Sequence, residues 1–493
     1  MADDDRGASQ GGRSPIRRVP VNPLESGAGY TRRLDAAQPS GASGLTKAAT
    51  LPAARRGRVT GIARSARWCQ SGQHTLRIGH DMELTPWDGS RIGLDQEEMR
   101  RHNRGTFLRL VHLSGGISRA ELARRMNLNR STIKTLTAEL SAAGLVREVS
   151  QTDNRHQGRP SPIVRPETQR FHVLAFDVAV DRLVAARIGL GGVVLDRKVA
   201  ARRRSGVDLD YVVTTLANLG RQLTEAAPST STCVGLGASY CGMIRPDDGT
   251  VRFGPDLGWV DQAFGAELAR RLGLGPPVPV GNEAHLGALA EHLRGAGTGV
   301  QNLVYLHGDV GVGGGIIVGG TVLDGDAGYG CELGHMVVNP HGGRPCGCGS
   351  SGCLEAEAGE RALLDAAHRP PEVFGRDAVR AVADDAAAGD ADARDALDYV
   401  GDWLGIGVAN LINLFNPAVV VFGGMLRDVY AGVLPRVRSR VARNVLPVAK
   451  EKVRLSVSAL GDDATLIGAG ELGFERLLHD PLGETPRLSP TAS

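Results

Sequence analysis

The chain has no apolar run that approaches the roughly 20 residues needed to cross a bilayer, so neither a membrane span nor a membrane partner is expected. Its first twenty residues, Met1 to Pro20, carry Asp and Arg instead of an apolar core, so no secretory leader is expected and the protein reads as cytoplasmic. A disulfide framework is also not expected. The seven cysteines are odd in number, and the implied compartment is reducing. Net charge is only +3, too small by itself to announce a charged partner.

That small net charge conceals an asymmetry. Residues 1–170 hold 28 Lys/Arg against 16 Asp/Glu, whereas the remainder holds 29 against 38. A basic front on an acidic rear confines any polyanion binding to the front. With 493 residues the chain can bury two or three cores. Its 67 glycines imply many tight turns or close approaches of backbone to ligand.

Residues 1–95 are rich in Gly, Ser, Ala, Arg and Pro without sustained periodicity and read as a disordered extension. A head is expected over 96–168. There Met99, Phe107, Leu108, Leu110, Val111 and Leu113 line one side of a helix that Gly115-Gly116 ends. Ser118 with Glu121 forms a capping box that opens a second helix to Met126. After the turn Asn127-Leu128-Asn129, a third helix runs from about Arg130 to Ala143 and stops at Gly144. The strand at 145–149, the polar loop Ser150 to Pro162 and a short strand near Ile163 complete a winged helix-turn-helix.

A recognition helix must offer short polar and cationic side chains at its N-terminal end to reach base edges in the major groove. Arg130, Ser131, Thr132, Lys134 and Thr135 supply them, with Ser118 and Arg119 at the start of the preceding helix. Arg155 and Arg159 lie in the wing, where an Arg between Gly158 and Pro160 suits a narrow minor groove. The bland alternative is a protein-interaction module with solvated charges. The 13 basic against 5 acidic residues in 101–170 favour DNA.

An α/β pattern follows over 169–475, in two parts divided near 282/283, with a loose tail from 476 to 493. Strands are expected at Phe171 to Val178, Leu183 to Leu190, Val193 to Val199, Cys233 to Ala238, Leu303 to Leu306, Gly315 to Val318 and Val419 to Phe422. Ala-rich helices are expected over about Glu360 to Leu397 and Leu397 to Leu414. Within this region His335, Cys346, Cys348 and Cys353 stand in His-x10-Cys-x-Cys-x4-Cys spacing. Three thiolates and an imidazole fill a tetrahedral Zn²⁺ shell with no open position, a structural arrangement; His341 is the alternative fourth ligand.

These motifs together resemble the ROK family of repressors, open reading frames and sugar kinases, specifically its repressor branch. The resemblance covers about Arg101 to Leu472. It rests on the head, the Gly-rich segment Gly311 to Gly320, Glu332-Leu333-Gly334-His335, the Cys cluster ending in Leu354-Glu355, Phe422-Gly423-Gly424, and Asp463-Ala464 to Gly468-Ala469. It implies a two-lobed actin/hexokinase-like (ribonuclease H-like) domain with sugar between the lobes. By the same resemblance Glu332, His335 and Glu355 contact sugar hydroxyls, Asn282 and Glu283 match the family's Asn-Asp pair, and Asp256 replaces a sugar-contacting Asn. Ser239 is a further candidate.

The resemblance also implies what this chain lacks as a kinase. Asp177-Val178-Ala179-Val180-Asp181 stands where a kinase carries the phosphate loop Asp-x-Gly-Gly-Thr, and Glu283 replaces the catalytic Asp. The expectation is a non-catalytic, sugar-responsive repressor of carbohydrate-utilisation genes, a homodimer or homotetramer on operator DNA. An ATP-dependent sugar kinase with a fused DNA-binding head is the alternative, and a protein-partner scaffold the third.

Overall fold

The structure is a computed structural model that describes residues 96–150 and 161–483. The expected 1–95 extension, wing residues Arg155 and Arg159, and the part of the expected 476–493 tail beyond 483 lie outside these residues; residues 476–479 finish the last helix.

The head comprises α1 (Gln96–Ser114), β1 (Ile117–Ser118), α2 (Arg119–Met126), α3 (Arg130–Ala142), β2 (Val146–Val149) and β3 (Ile163–Pro166). Local chemistry sets its boundaries. Ser118 Oγ accepts from Glu121 N–H at 3.1 Å to cap α2, and Asn129 Oδ1 accepts from Thr132 N–H at 2.8 Å to cap α3. Glu121 does not return the capping-box bond expected of it, because its carboxylate is engaged by Arg124 and Arg125. Met99 is 50% exposed and does not join the apolar side expected of it, since the first turns of α1 are held by Arg100 and Arg104 on Glu139.

The first lobe contains β4 (Phe171–Val178), β5 (Arg182–Gly189), β6 (Val193–Ala201), α4 (Leu209–Ala226), β7 (Thr232–Tyr240), β8 (Met243–Arg245), β9 (Thr250–Gly254), β10 (Trp259–Gln262), α5 (Phe264–Arg271) and β11 (Val280–Asn282). Helix α6 (Glu283–Arg294) leads to the second lobe. That lobe contains β12 (Leu303–Gly308), β13 (Val312–Val318), β14 (Thr321–Val322), α7 (Leu354–Ala358), α8 (Glu360–Ala366), α9 (Arg376–Ala388), α10 (Ala391–Phe415), β15 (Val419–Gly424), α11 (Met425–Asn444), α12 (Pro447–Lys450) and β16 (Arg454–Val457). The closing helix α13 (Ala464–His479) packs back on β4, β7 and α6.

The two main sheets run β6-β5-β4-β7-β11 and β14-β13-β12-β15-β16. In each, three strands form an antiparallel meander, and two more add in parallel beside the first strand. The same five-strand plan thus occurs twice, and the cleft lies between the copies. The long helix expected over Glu360 to Leu397 is three pieces. Pro370-Pro371 cannot continue a helix, and Gly389, at φ +109°, ends α9 in the left-handed conformation.

One apolar core joins the head to the first lobe. Phe107, Leu108, Val111, Leu122 and Ile133 of the head belong to the same buried cluster as Val173, Ile188, Leu286, Phe474 and Leu477. The head is therefore seated on the lobe and not tethered to it. Burying one such side chain fully is worth about 1.5–3 kcal/mol, and helix α1, which packs on α13, carries those that bridge head and lobe.

Candidate metal centre, effector cleft and DNA-facing helix

His335 ends a short 3-10 turn (Leu333–His335), Cys346 and Cys348 lie in the loop after it, and Cys353 immediately precedes α7. Their four ligand atoms all lie within 4.8 Å of one another. Cys348 Sγ and Cys353 Sγ are 3.7 Å apart, and Cys346 Sγ is 3.6 Å from His335 Nδ1. A tetrahedral ion with metal–sulfur bonds of about 2.3 Å needs sulfurs about 3.8 Å apart, so the donor set fits a metal ion. His335 turns Nδ1 to the thiols, which leaves Nε2 for another partner.

Glu355, the second residue of α7, lies against this centre, with Oε1 3.0 Å from Cys346 Sγ and 3.5 Å from His335 Nδ1. Burial raises the pKa of Glu332, and nearby Glu355 adds to the shift while His335 opposes it. Glu332, His335 and Glu355 thus share one neighbourhood. Gly311 closes on it: a Cβ there would sit 2.2 Å from Glu355 Oε2.

A second group surrounds the start of α6. Asn282 caps the helix, accepting at Oδ1 from Ala284 N–H (2.9 Å) and His285 N–H (3.2 Å) and donating from Nδ2 to Gly242 O (3.0 Å). Most of its hydrogen-bonding capacity is thus spent on the fold. Glu283 is buried, and its carboxyl is pushed up to about 8, first by burial and then by Asp309; the Cys241 thiol opposes the shift. Burial raises the Asp177 carboxyl at the end of β4, although Ser239 donates a hydrogen bond to it. Asp309, after β12, is lifted to about 6 by burial and by Asp181. Its backbone N–H donates to Gly311 O, so the segment 309–311 links this acidic group to Glu355.

Asp256 is held by partners that sequence reading did not find. Oδ2 accepts from Arg202 Nη2 at 2.7 Å, and Oδ1 accepts from the Tyr240 hydroxyl at 2.9 Å. The Arg202 side chain is 0% exposed, with Nε donating to Ala179 O (2.7 Å) and Nη1 to Arg203 O (3.0 Å). A buried guanidinium therefore ties the sugar-site candidate Asp256 to the 177–181 segment. In front of that segment opens an interlobe cleft of about 820 Å³, lined by Asp181, Arg182, Arg203, Arg204, Arg376 and Asp462 among others. Arg204 spans it, paired with Glu360 at 3.0 Å and stacked over Phe374.

On the head, Arg130, Ser131, Lys134 and Thr135 are exposed at the start of α3. Ser131 and Thr132 hydroxyls both donate to Asn129 Oδ1, and Thr135 donates to Ser131 O, so the cap organises this end of the helix. Ser118 uses its hydroxyl as a cap, and Arg119 pairs with Glu148 at 3.1 Å. Arg130 and Lys134 have no ion-pair partner among the described residues. Their charge is available to a phosphate or a base edge.

Residues 176–475 match the ROK family model. The chain belongs to the ROK family. The xylose repressor of Bacillus subtilis strain 168 is 28% identical over 386 residues, covering 78% of this chain and 98% of the relative. A glucokinase of Halalkalibacterium halodurans is 31% identical over 319 residues, covering 62% and 95%. The crystal structure of a ROK family transcriptional regulator, a homolog of the E. coli MLC protein, superposes with a TM-score of 0.65 at 28% identity, covering 78% of this chain and 98% of that one. The repressor similarity thus extends over a longer stretch than the glucokinase similarity.

Proposed function

We propose that this ROK protein is a sugar-responsive transcriptional repressor of carbohydrate-utilisation genes, cytoplasmic, acting as a homodimer or homotetramer. The observation that carries the reading is the winged head, with the charged start of α3 exposed, built into the core of a ROK lobe. Operator DNA is contacted by Arg119, Arg130, Ser131, Thr132, Lys134 and Thr135, with Arg155 and Arg159 of the wing; Ser118 contributes as the α2 cap. The sugar effector lies against Glu332, His335 and Glu355 on one side and Asn282, Glu283 and Asp256 on the other. Zinc is the metal assigned to His335, Cys346, Cys348 and Cys353. It supplies structural cross-linking when bound, while this chain's Glu355 and His335 Nε2 accept or donate hydrogen bonds to vicinal hydroxyls. The head is assigned to 96–168 and the sensor to 169–475.

A kinase is the second reading, favoured by the glucokinase relative. Against it, a transferring phosphoryl group would meet the carboxyls of Asp177, Glu283 and Asp309 at close quarters. Arg202 already occupies the Ala179 carbonyl, and Val180 and Ala179 side chains fill the loop. With side chains at 178–180 in place of glycines, the segment 177–181 offers no open cradle of backbone amides to a triphosphate.

Fluorescence anisotropy of the full chain on its own upstream DNA, at fixed salt, tests the reading with D-xylose, D-glucose and N-acetyl-D-glucosamine. Specific binding that one sugar shifts several-fold is expected. No preference over random DNA, together with sugar-dependent ATP consumption, would replace this reading by the kinase.

A further inference from the structure

His112, on the inner face of α1, is completely buried where the head meets the first lobe. Gly191 N–H, in the β5–β6 turn, donates to its Nδ1 at 2.9 Å. Nδ1 is therefore an acceptor, and Nε2 faces both Glu471 of α13 at 3.0 Å and Arg294 Nη2 at 2.5 Å. Glu471 also accepts from Arg294 Nε at 2.8 Å. Arg294, the last residue of α6, donates from Nη1 to His112 O (3.2 Å) and Gly191 O (2.9 Å). Side-chain exposures of 0%, 7% and 10% for His112, Glu471 and Arg294 place the network out of water. Burial acts to raise the pKa of Glu471, yet His112 and Arg294 hold its carboxylate down to about 2.

The two ends of α6 lie at two different sites. Its first turn carries Asn282 and Glu283 in the candidate effector cleft, and its last residue holds the head. Over 12 residues the helix spans about 18 Å. It packs closely on α13, where a Cβ on Gly468 would fall 2.2 Å from Leu286 O, so the two backbones approach directly. A displacement at the start of α6 thus reaches Arg294 and Glu471 together, and through them α1.

We infer that Arg294, with His112 and Glu471, forms the positioning group through which effector occupancy at the start of α6 sets the pose of the DNA-reading head. The inference rests on the repressor reading above and adds the residues that carry the signal. Arg294 touches neither DNA nor sugar. Its removal uncouples two binding events and abolishes neither.

The test uses the full chain as wild type, Arg294→Met, Arg294→Lys and Arg109→Met. The last breaks the Arg109–Glu475 pair (2.9 Å) across the same seam and removes no hydrogen bond of the network. Calorimetry gives the affinity for D-xylose, D-glucose and N-acetyl-D-glucosamine, and anisotropy gives the affinity for the upstream duplex with and without each sugar. Arg294→Met is expected to keep its sugar affinity within about 2-fold of wild type while the sugar-induced change in DNA affinity falls below about 2-fold. Arg294→Lys keeps the charge on Glu471, loses the forked contacts and responds in part, and Arg109→Met responds as wild type. A wild-type sugar response in Arg294→Met overturns the inference, and so does a 10-fold loss of sugar affinity, which would put Arg294 in the sugar site. Should wild type ignore all three sugars, the repressor reading fails separately, and sugar-free hydrogen exchange decides the inference. Amides of 105–114 exchanging about 10-fold faster in both Arg294 variants support it, and wild-type rates overturn it. Should Arg294→Met fail to fold by circular dichroism, the Arg294→Lys results decide.

Discussion

Glu283→Gln isolates the acidic cluster at the start of α6. The Glu283 carboxyl moves from an ordinary 4.5 to about 8 on folding, first because burial strips its water and then because Asp309 faces it. A carboxyl raised in the folded state binds its proton more tightly there than in the unfolded chain. Its stabilising contribution is complete below pH 4.5 and is lost as the pH rises through 8. With 1.36 kcal/mol per pH unit, the wild type loses about 2.5 kcal/mol between pH 5 and pH 7 from this group alone, and about 4 kcal/mol by pH 8.5. Gln has nearly the same shape and no charge to desolvate, so Glu283→Gln removes that slope. Urea unfolding followed by tryptophan fluorescence, at pH 5, 7 and 8.5, measures the difference. The variant is expected to be the more stable protein at pH 8.5. Parallel stability–pH curves for the two proteins would refute the reading of Glu283 as a desolvated carboxyl that keeps its proton at pH 7.

Arg202→Met leaves Asp256 with Tyr240 alone and the Ala179 carbonyl without its donor; it is expected to cost about 3 kcal/mol in urea unfolding, with Arg202→Met/Asp256→Leu recovering most of it. Cys348→Ser is expected to lose most of the bound metal by atomic emission and to weaken the sugar response; full zinc content with an intact response would refute the link between cluster and effector. Arg130→Ala is expected to weaken operator binding at every sequence tested or to relax specificity at one position. A reduction of about one in the salt slope identifies a phosphate contact, and an unchanged slope with relaxed specificity identifies a base contact.

The parts legible in the sequence are those fixed within a few residues. Ser118 and Gly144 bound helices by local chemistry, and Cys346, Cys348 and Cys353 bring three sulfurs together across eight residues, so spacing sufficed for each. The Pro370-Pro371 break was visible too, but the Ala-rich texture around it read as continuous helix. Other features depend on residues brought together from afar. Arg202 meets Asp256 across 54 positions, and His112 meets Glu471 across 359. Asp309 is an ordinary turn residue until the return of β13 buries it beside Asp181. Asp256 reads by resemblance as a sugar contact, and no local pattern reveals the guanidinium that holds it.

The shared core constrains how any sugar signal can work. Because Phe107 and Ile133 lie in one apolar cluster with Val173 and Phe474, the head, the first lobe and α13 form a single packed body. Lobe closure by itself moves the second lobe relative to this body, and a change in the head's pose on its own lobe has to come through the His112 seat. For closure to alter the distance between two heads, a dimer would have to join its subunits through the second lobe. Closure would then swing both first lobes, heads attached, about that junction. A dimer joined through the first lobes would instead hold the head spacing constant, and the signal would have to tilt each head on its seat at His112. Distances between spin labels on the two heads, with and without sugar, separate these cases. A change in spacing with the α1 seat protected from exchange points to lobe rotation, and a constant spacing with faster exchange at α1 points to the seat.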